Sequence, residues 1–305
     1  MEYSTSIIIL TLNAENEIEK ILKKIDFSKY NVLIIDSSSD DNTVEICKRY
    51  GCQINIIERN EFNHGATREY ARKQTNTDII IFLTQDAIPV RNNTFDKLIE
   101  PIQQGIASVS YGKQIPRKTA KILESFPREF NYGEKEYLRS FGDVKKFGVH
   151  TFFCSDSFSA YNNNHLDDVG GIDPAIVSED YFTVSKLLKN GKSIAYIPSA
   201  AVVHSHNYTL AQEFQRYFDT GFARAERPWI QQVVGNAENR GIKYFIMLFK
   251  KLVYDNPFLI PYAIIQSMLK WLGYRIGFHG RYFPDWVKIA FSGQKYYWRS
   301  KYYDR

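Results

Sequence analysis

Apolar residues fall into two rhythms along the first half of the chain, and each predicts a different element. Short runs at Ser6–Leu12, Asn31–Ile35, Gln53–Glu58 and Ile79–Leu83 read as strands, the last of them unbroken and buried on both faces. Between them, Ala14–Ile25, Thr43–Tyr50 and Gly65–Gln74 repeat apolar residues at helical spacing, and Gly51 stops the second. That alternation predicts an α/β fold, a doubly wound and mostly parallel sheet flanked by helices. Phe95–Ile102 reads as a further helix and Ile106–Tyr111 as a strand. Lys113–Gly148 breaks the rhythm; charged and aromatic, with two prolines, it reads as an excursion facing substrate. Thr151–Tyr161 predicts renewed extended chain, Asp180–Asn190 a short helix, and Ser193–Ile197 and Ala201–Val203 two more strands. From Gln212 onward the chain is predicted helical, interrupted by proline and glycine.

Polar clusters stand where strands should end. They are Thr11-Leu12-Asn13-Ala14-Glu15, Asp36-Ser37-Ser38-Ser39-Asp40, Thr84-Gln85-Asp86-Ala87 and His204-Ser205-His206. In a parallel sheet these ends share one edge, where ligands bind. Asp and Ser after strands are also ordinary turn and cap residues, so the weight lies in their convergence. Ser178-Glu179-Asp180 precedes an apolar-periodic helix. Ser178 reads as its N-cap and the two acids as complements to its dipole, and a carboxylate there can also take a proton from an attacking hydroxyl. Phe62–Gly65 reads as a loop opening a helix, suited to capping or to phosphate contact through backbone N–H groups.

Composition narrows this picture. A chain of 305 residues, 44% hydrophobic, supports a self-sufficient core in one large α/β domain, alone or with an extension. Three cysteines without metal spacing point to thiols in a reducing compartment. The N-terminus lacks the pattern of a secretory signal, and no apolar stretch reaches the ~18 residues of a spanning helix. Charge is unevenly spread: Arg240–Arg305 holds twelve Lys or Arg against three Asp or Glu, a net +9 in a chain of net +5. Aromatics interleave with those charges, which suits helices lying on an anionic membrane surface. The alternative is an amphipathic tail packed on the core or on a second copy in a homodimer. Nucleic acid is not an expected partner, because no RNP-type or zinc-knuckle pattern is present.

Longer strings carry a resemblance: TLNAE (11–15), IIDSSSDDNT (34–43), FNHGATRE (62–69), FLTQDA (82–87), FFCSDSFSAY (152–161), GGIDP with SED (170–180) and HSHNYTLAQEF (204–214). The sequence resembles family 2 glycosyltransferases of the GT-A fold and, among them, bacterial rhamnosyltransferases that build surface polysaccharides. The resemblance runs from Ser6 to Arg227. It implies a catalytic domain over 1–227 and leaves uncovered 228–305, which composition marks as a basic, aromatic-rich helical extension.

The resemblance also implies roles. Thr11, Asn13 and Glu15 would hold the nucleoside, Asp36 the pyrimidine base, with Ser38 beside base or ribose. Arg68 would approach base or diphosphate, and Gln85 and Asp86 would face the nucleotide sugar. The family's Asp-x-Asp metal motif reads Thr84-Gln85-Asp86 here, without its first acid. Mg²⁺ or Mn²⁺ would then be held weakly by Asp86 and His204, rather than His206, and completed by the diphosphate. Asp180 would be the catalytic base, Glu179 an acid that supports it and orients the acceptor, and Asp156 an acceptor-binding residue.

The implied reaction is inverting transfer of L-rhamnose from dTDP-L-rhamnose to a lipid-linked glycan in O-antigen-type synthesis. It is expected in the cytoplasm, peripheral on the inner face of the membrane. The alternatives are another donor such as a UDP-hexose, or a non-catalytic sugar-nucleotide-binding module. The reading requires Asp86 and Asp180 to open onto one pocket.

Overall fold

The computed structural model describes residues 3–235 and 238–303. The first half alternates as the apolar rhythm predicts: β1 (Thr5–Thr11), α1 (Ile18–Leu22), β2 (Asn31–Asp36), α2 (Thr43–Arg49), β3 (Gln53–Ile56), α3 (His64–Lys73) and β4 (Ile79–Thr84). Then come β5 (Ile88–Pro89), α4 (Thr94–Gln103), β6 (Val109–Ile115), α5 (Ile122–Asn131), β7 (Tyr137–Arg139) and α6 (Val144–Phe147). They lead into β8 (Phe158–Asn162), α7 (Asn163–Asp167), α8 (Glu179–Lys189) and β9 (Ile194–Val203). The rest is helical: α9 (Leu210–Ala225), α10 (Pro228–Val234), α11 (Glu238–Asp255), α12 (Ile260–Phe278) and α13 (Asp285–Phe291).

One sheet runs in the order β3-β2-β1-β4-β8-β6-β9-β5, with β7 paired to β9. β3, β2, β1 and β4 are mutually parallel, β8 is inserted antiparallel, and β6 and β9 resume the first direction. Period-two alternation divides the side chains between two cores. Ile7, Ile9, Ile79, Ile81 and Leu83 pack with α1 and α4, while Ile8, Leu33, Ile35, Ile80 and Phe82 pack with α3 and α8. Each such aliphatic is worth about 1.5–3 kcal/mol in burial, which is why the strands read so plainly.

Four elements differ from the sequence expectation. Ala14–Ile25 holds only the short α1, because Ala14 N–H bonds Thr43 Oγ1 and Glu15 N–H bonds Asp41, tying the segment to a neighbouring loop. In Thr151–Tyr161 only Phe158–Asn162 is strand; Arg139 takes the Phe153 carbonyl at 2.6 Å, and Gly148–Phe152 coils into a tight turn. The two late strands are one, β9, with a register shift that accommodates Pro198 at a bulge. Ser178 does not cap α8: it sits in the left-handed region at φ 67° and makes no side-chain cap bond.

The tail is anchored to the rest. A Cβ on Gly221 of α9 would meet the Tyr274 carbonyl at 2.1 Å, and one on Gly277 of α12 would meet the Phe218 carbonyl at 2.0 Å. Only glycine allows backbones so close. Trp298, 1% exposed, joins the same core as Tyr181 and Phe222. Large side chains on the outer side stay in solvent, with Phe258 at 92% and Tyr254 at 88% exposure. Among the described residues, no helix is long and apolar enough to cross a membrane.

Candidate active site

A cleft of about 900 Å³ opens at the carboxyl ends of β1, β4 and β6 and is walled by α8 and α9. Asp86, His204, Asp180 and Glu179 all line it. Two residues that start 94 positions apart, Asp86 and Asp180, thus face one space.

At one end Asp86 follows β4 and meets two histidines that follow β9. His204 Nε2 lies 3.4 Å from Asp86 Oδ1, and His206 Nε2 lies 3.6 Å from Oδ2. The three ligand atoms lie within 4.8 Å of one another. His204 Nδ1 is 2.9 Å from Gln114 Oε1, and Gln114 Nε2 donates to Ser155 Oγ at 2.8 Å. That chain fixes the orientation of the imidazole, with Nε2 facing Asp86. Burial pushes Asp86 up, but the bond and charge of His204, with His206, outweigh it and hold the carboxyl at about 2. Burial, then His204, lowers His206 to about 4, leaving a neutral imidazole at physiological pH. The sequence expectation preferred His204, yet His206 stands equally close, as residues two apart on an extended segment do. One carboxylate and two imidazoles fit a divalent cation that accepts nitrogen and oxygen.

At the other end, acids crowd a single guanidinium. Arg68, 3% exposed on α3, pairs with Glu179 and lies 3.6 Å from Asp156 Oδ2. Asp156 N–H donates to Asp180 Oδ2 at 3.3 Å, and Tyr181 N–H to its Oδ1 at 2.7 Å. Asp156 itself is 2% exposed, with Oδ1 accepting from Ser159 at 2.6 Å and Tyr161 at 2.7 Å. Burial, then the charges of Glu179 and Asp156, push Asp180 up to about 8. Nearby His64 adds no balancing charge, since burial and Arg68 lower it to about 3. A carboxyl near 8 can both lose and hold a proton at working pH, as a general base must.

Gly65 makes this cluster: a Cβ there would meet the Asp173 carbonyl at 2.1 Å, so a side chain would keep α3, and Arg68 with it, away from Glu179. The loop before it takes the capping role, Asn63 Oδ1 accepting from Ala66 N–H at 3.1 Å.

The remaining expected residues form a turn network at the ends of β1 and β2. Thr11 Oγ1 donates to Asp36 Oδ2 at 2.7 Å, and Ser39 supplies N–H and Oγ to the same carboxylate, which is fully buried. Asn13 Oδ1 accepts from Asp40 N–H, and Glu15 Oε2 from Asn42 N–H. Ser38 Oγ donates to the Ile57 carbonyl at 2.8 Å. Gln85 bridges strand ends, accepting from Leu12 N–H at 2.7 Å and donating to Leu12 C=O at 3.1 Å. Thr11, Arg68 and Gln85 reach the cleft wall, whereas Asn13, Glu15, Asp36 and Ser38 support the loops behind it. Asn13, Ser38 and Ser178 are the non-glycine residues with positive φ among those described, and all three stand in loops beside the cleft. Such strain collects at functional sites. Sequence reasoning missed Gln114, Arg128, Arg216 and Arg224 in the wall; they lie within β6, α5 and α9, outside the polar clusters that mark the other strand ends.

Against known proteins, the sequence profile described as Glycosyl transferase family 2 matches residues 6–170. The chain belongs to that family. It is 37% identical to O-antigen chain rhamnosyltransferase WbaN of Salmonella anatum over 98% of this chain and 97% of that protein. It is 38% identical to O-antigen chain rhamnosyltransferase RfbN of Salmonella typhimurium, over 89% and 88%. In fold it is similar to a mannosyltransferase from Pyrobaculum calidifontis solved with GDP-Man and Mn²⁺, at TM-score 0.62 and 14% identity over 93% of this chain and 89% of that one. TarS of S. aureus solved with UDP-GlcNAc aligns at TM-score 0.56 and 17% identity, over 97% and 87%. This family 2 member is therefore a glycosyltransferase, with the GT-A fold that its motifs led one to expect.

Proposed function

We propose that the protein transfers L-rhamnose from dTDP-L-rhamnose, with inversion, to a hydroxyl of a lipid-linked glycan in O-antigen synthesis. The observation that carries this is the sharing of one cleft by the Asp86–His204–His206 triad and Asp180. The rhamnosyl specificity is supported by two relatives described as O-antigen chain rhamnosyltransferases, matched over 97% and 88% of their lengths.

In this reading the nucleotide lies over the ends of β1 and β2, on loops stiffened by Asp36, Asn13, Glu15 and Ser38. Thr11 and Gln85 face it. The diphosphate lies beside the triad. A divalent cation bound by Asp86, His204 and His206 would supply Lewis-acid stabilisation of the leaving group's charge. The donor set, rich in imidazole, favours Mn²⁺ over Mg²⁺. Asp180 accepts the proton of the acceptor hydroxyl as its oxygen attacks C1. The C1–O bond to diphosphate breaks on the opposite face, and dTDP leaves with the bonding pair. Glu179 and Asp156 act through Asp180: they keep its basicity high and fix its direction, while Arg68 prevents three acids from repelling one another apart. Asp156, enclosed by Ser159 and Tyr161, is thus a positioning residue in place of the expected acceptor ligand.

The tail supports work at the inner membrane face. Its +9 charge and exposed Phe258, Tyr254 and Trp286 are suited to an anionic bilayer, where a lipid-linked acceptor is held. A donor panel tests the proposal: dTDP-L-rhamnose should be consumed with a lipid-linked acceptor fraction far faster than UDP-glucose or UDP-galactose. Preferential use of a UDP-hexose would overturn the donor assignment.

A further inference from the structure

The cleft has a wall that none of these steps uses. α9 presents Arg216, Asp219, Thr220 and Arg224 to it, at positions i, i+3, i+4 and i+8 and so on one side of the helix. Beyond α13, the loop at Gly293, Gln294 and Tyr296 completes the same wall, so the C-terminal extension reaches into the cleft.

Asp219 joins the two pieces. It is 1% exposed, and its Oδ2 accepts the Gly293 N–H at 2.9 Å. Its Oδ1 has no hydrogen-bond partner among the described residues. A buried acceptor left unsatisfied is destabilising, so a carboxylate oxygen kept this way beside a cleft points to a ligand that donates. Burial pushes this carboxyl up to about 7, against the pull of Ser292, Gly293 and Gln294. Next to it, Tyr296 offers a ring that is 72% exposed. A carboxylate, an amide and an open aromatic face are the groups that recognise a pyranose: hydroxyls donate to the carboxylate, the amide both gives and accepts, and the ring covers C–H bonds.

Position says which pyranose. Along α9, Arg216 lies toward the triad, donating at 2.8 Å to the hydroxyl of Tyr208, whose ring centre is 5.3 Å from that of His206, and Arg224 lies toward the start of α8, its guanidinium covering the Tyr181 ring at 3.2 Å. Asp219 stands between them along α9 and lines the same cleft as Asp180. We propose that Asp219, Gln294 and Tyr296 form a subsite for the acceptor's terminal pyranose, and that the C-terminal loop thereby selects the acceptor. This rests on the transferase reading above.

Saturation-transfer NMR with methyl α-D-galactopyranoside, methyl α-D-mannopyranoside and methyl α-L-rhamnopyranoside, on full-length protein in the presence of dTDP, tests it. At least one glycoside should show ring-proton saturation, and Tyr296→Ala and Asp219→Asn should each remove most of that signal with dTDP affinity unchanged. Tyr296→Ala trims an exposed side chain, so it keeps the test intact if Asp219→Asn misfolds. No saturation with any glycoside, or saturation that survives Tyr296→Ala, would overturn the subsite. A fall in dTDP affinity in step with the glycoside signal would also overturn it, by assigning the wall to the donor. Absence of dTDP binding by the unaltered protein would instead sink the transferase reading and the subsite together.

Discussion

His204 Nε2 stands 3.4 Å from Asp86 Oδ1 because Gln114 occupies the other nitrogen of the ring. In the proposed site, a second histidine, His206, and an orienting amide would make up for the missing first acid of the Asp-x-Asp motif. Removing metal with EDTA should abolish transfer, and Mn²⁺ should restore it at lower concentration than Mg²⁺. Gln114→Leu frees the imidazole ring and should weaken Mn²⁺ by about 10–100-fold, the usual cost of losing an outer partner. Titration calorimetry in the presence of dTDP reads the change.

Asp180 titrates under the influence of burial and of Glu179 and Asp156, which raise it from 3.8 to about 8. The base works unprotonated, so kcat/KM should rise with pH through about 8 and level off above it. Glu179→Gln removes a charge that disfavours the carboxylate, and the limb of the pH–rate profile should move to lower pH. The stability sign follows from the same shift. A carboxyl raised in the native state contributes stability that is full below the unfolded pKa and is lost as pH rises through about 8. Asp180→Asn should flatten that slope in denaturant titrations.

Gly65 lets α3 approach the chain before α8, with the Asp173 carbonyl 2.1 Å from where a Cβ would stand. Gly65→Ala should cost about 1–3 kcal/mol of stability through overpacking. It should also lower kcat more than donor affinity, since Arg68 moves away from Glu179. Chemical denaturation together with steady-state kinetics checks both.

The exposed aromatics of the tail make a separate prediction. Replacing Phe258 and Trp286 by Ser should reduce sedimentation with phosphatidylglycerol vesicles while leaving turnover of a soluble acceptor unchanged. Equal sedimentation of variant and parent would remove those side chains from membrane contact.

What the sequence made legible follows from how each residue gets its place. β1, β2 and β4 are apolar runs whose burial alone fixes them, and Asp86 and Asp180 adjoin element ends, where polar residues are conspicuous. Asp36 was legible as an acid after a strand. That Ser39 would turn back onto both its oxygens was not, because such turns depend on backbone angles like the φ of 59° at Ser38. His206 stands beside His204 because the two-residue spacing puts both on one side of an extended segment. Asp219 and Tyr296 carried no local signal at all. They line one cleft because Gly221 and Gly277 allow α12 to close on α9 and bring the following chain back to it.

The most direct measurement is single-turnover transfer by Asp180→Asn alongside binding of dTDP-L-rhamnose to the same variant. The amide keeps the shape and loses the proton acceptor. Transfer should fall by about 10²–10⁴-fold with donor affinity unchanged. Turnover near that of the unaltered enzyme would contradict the pairing of a proton acceptor and a leaving-group site in one cleft.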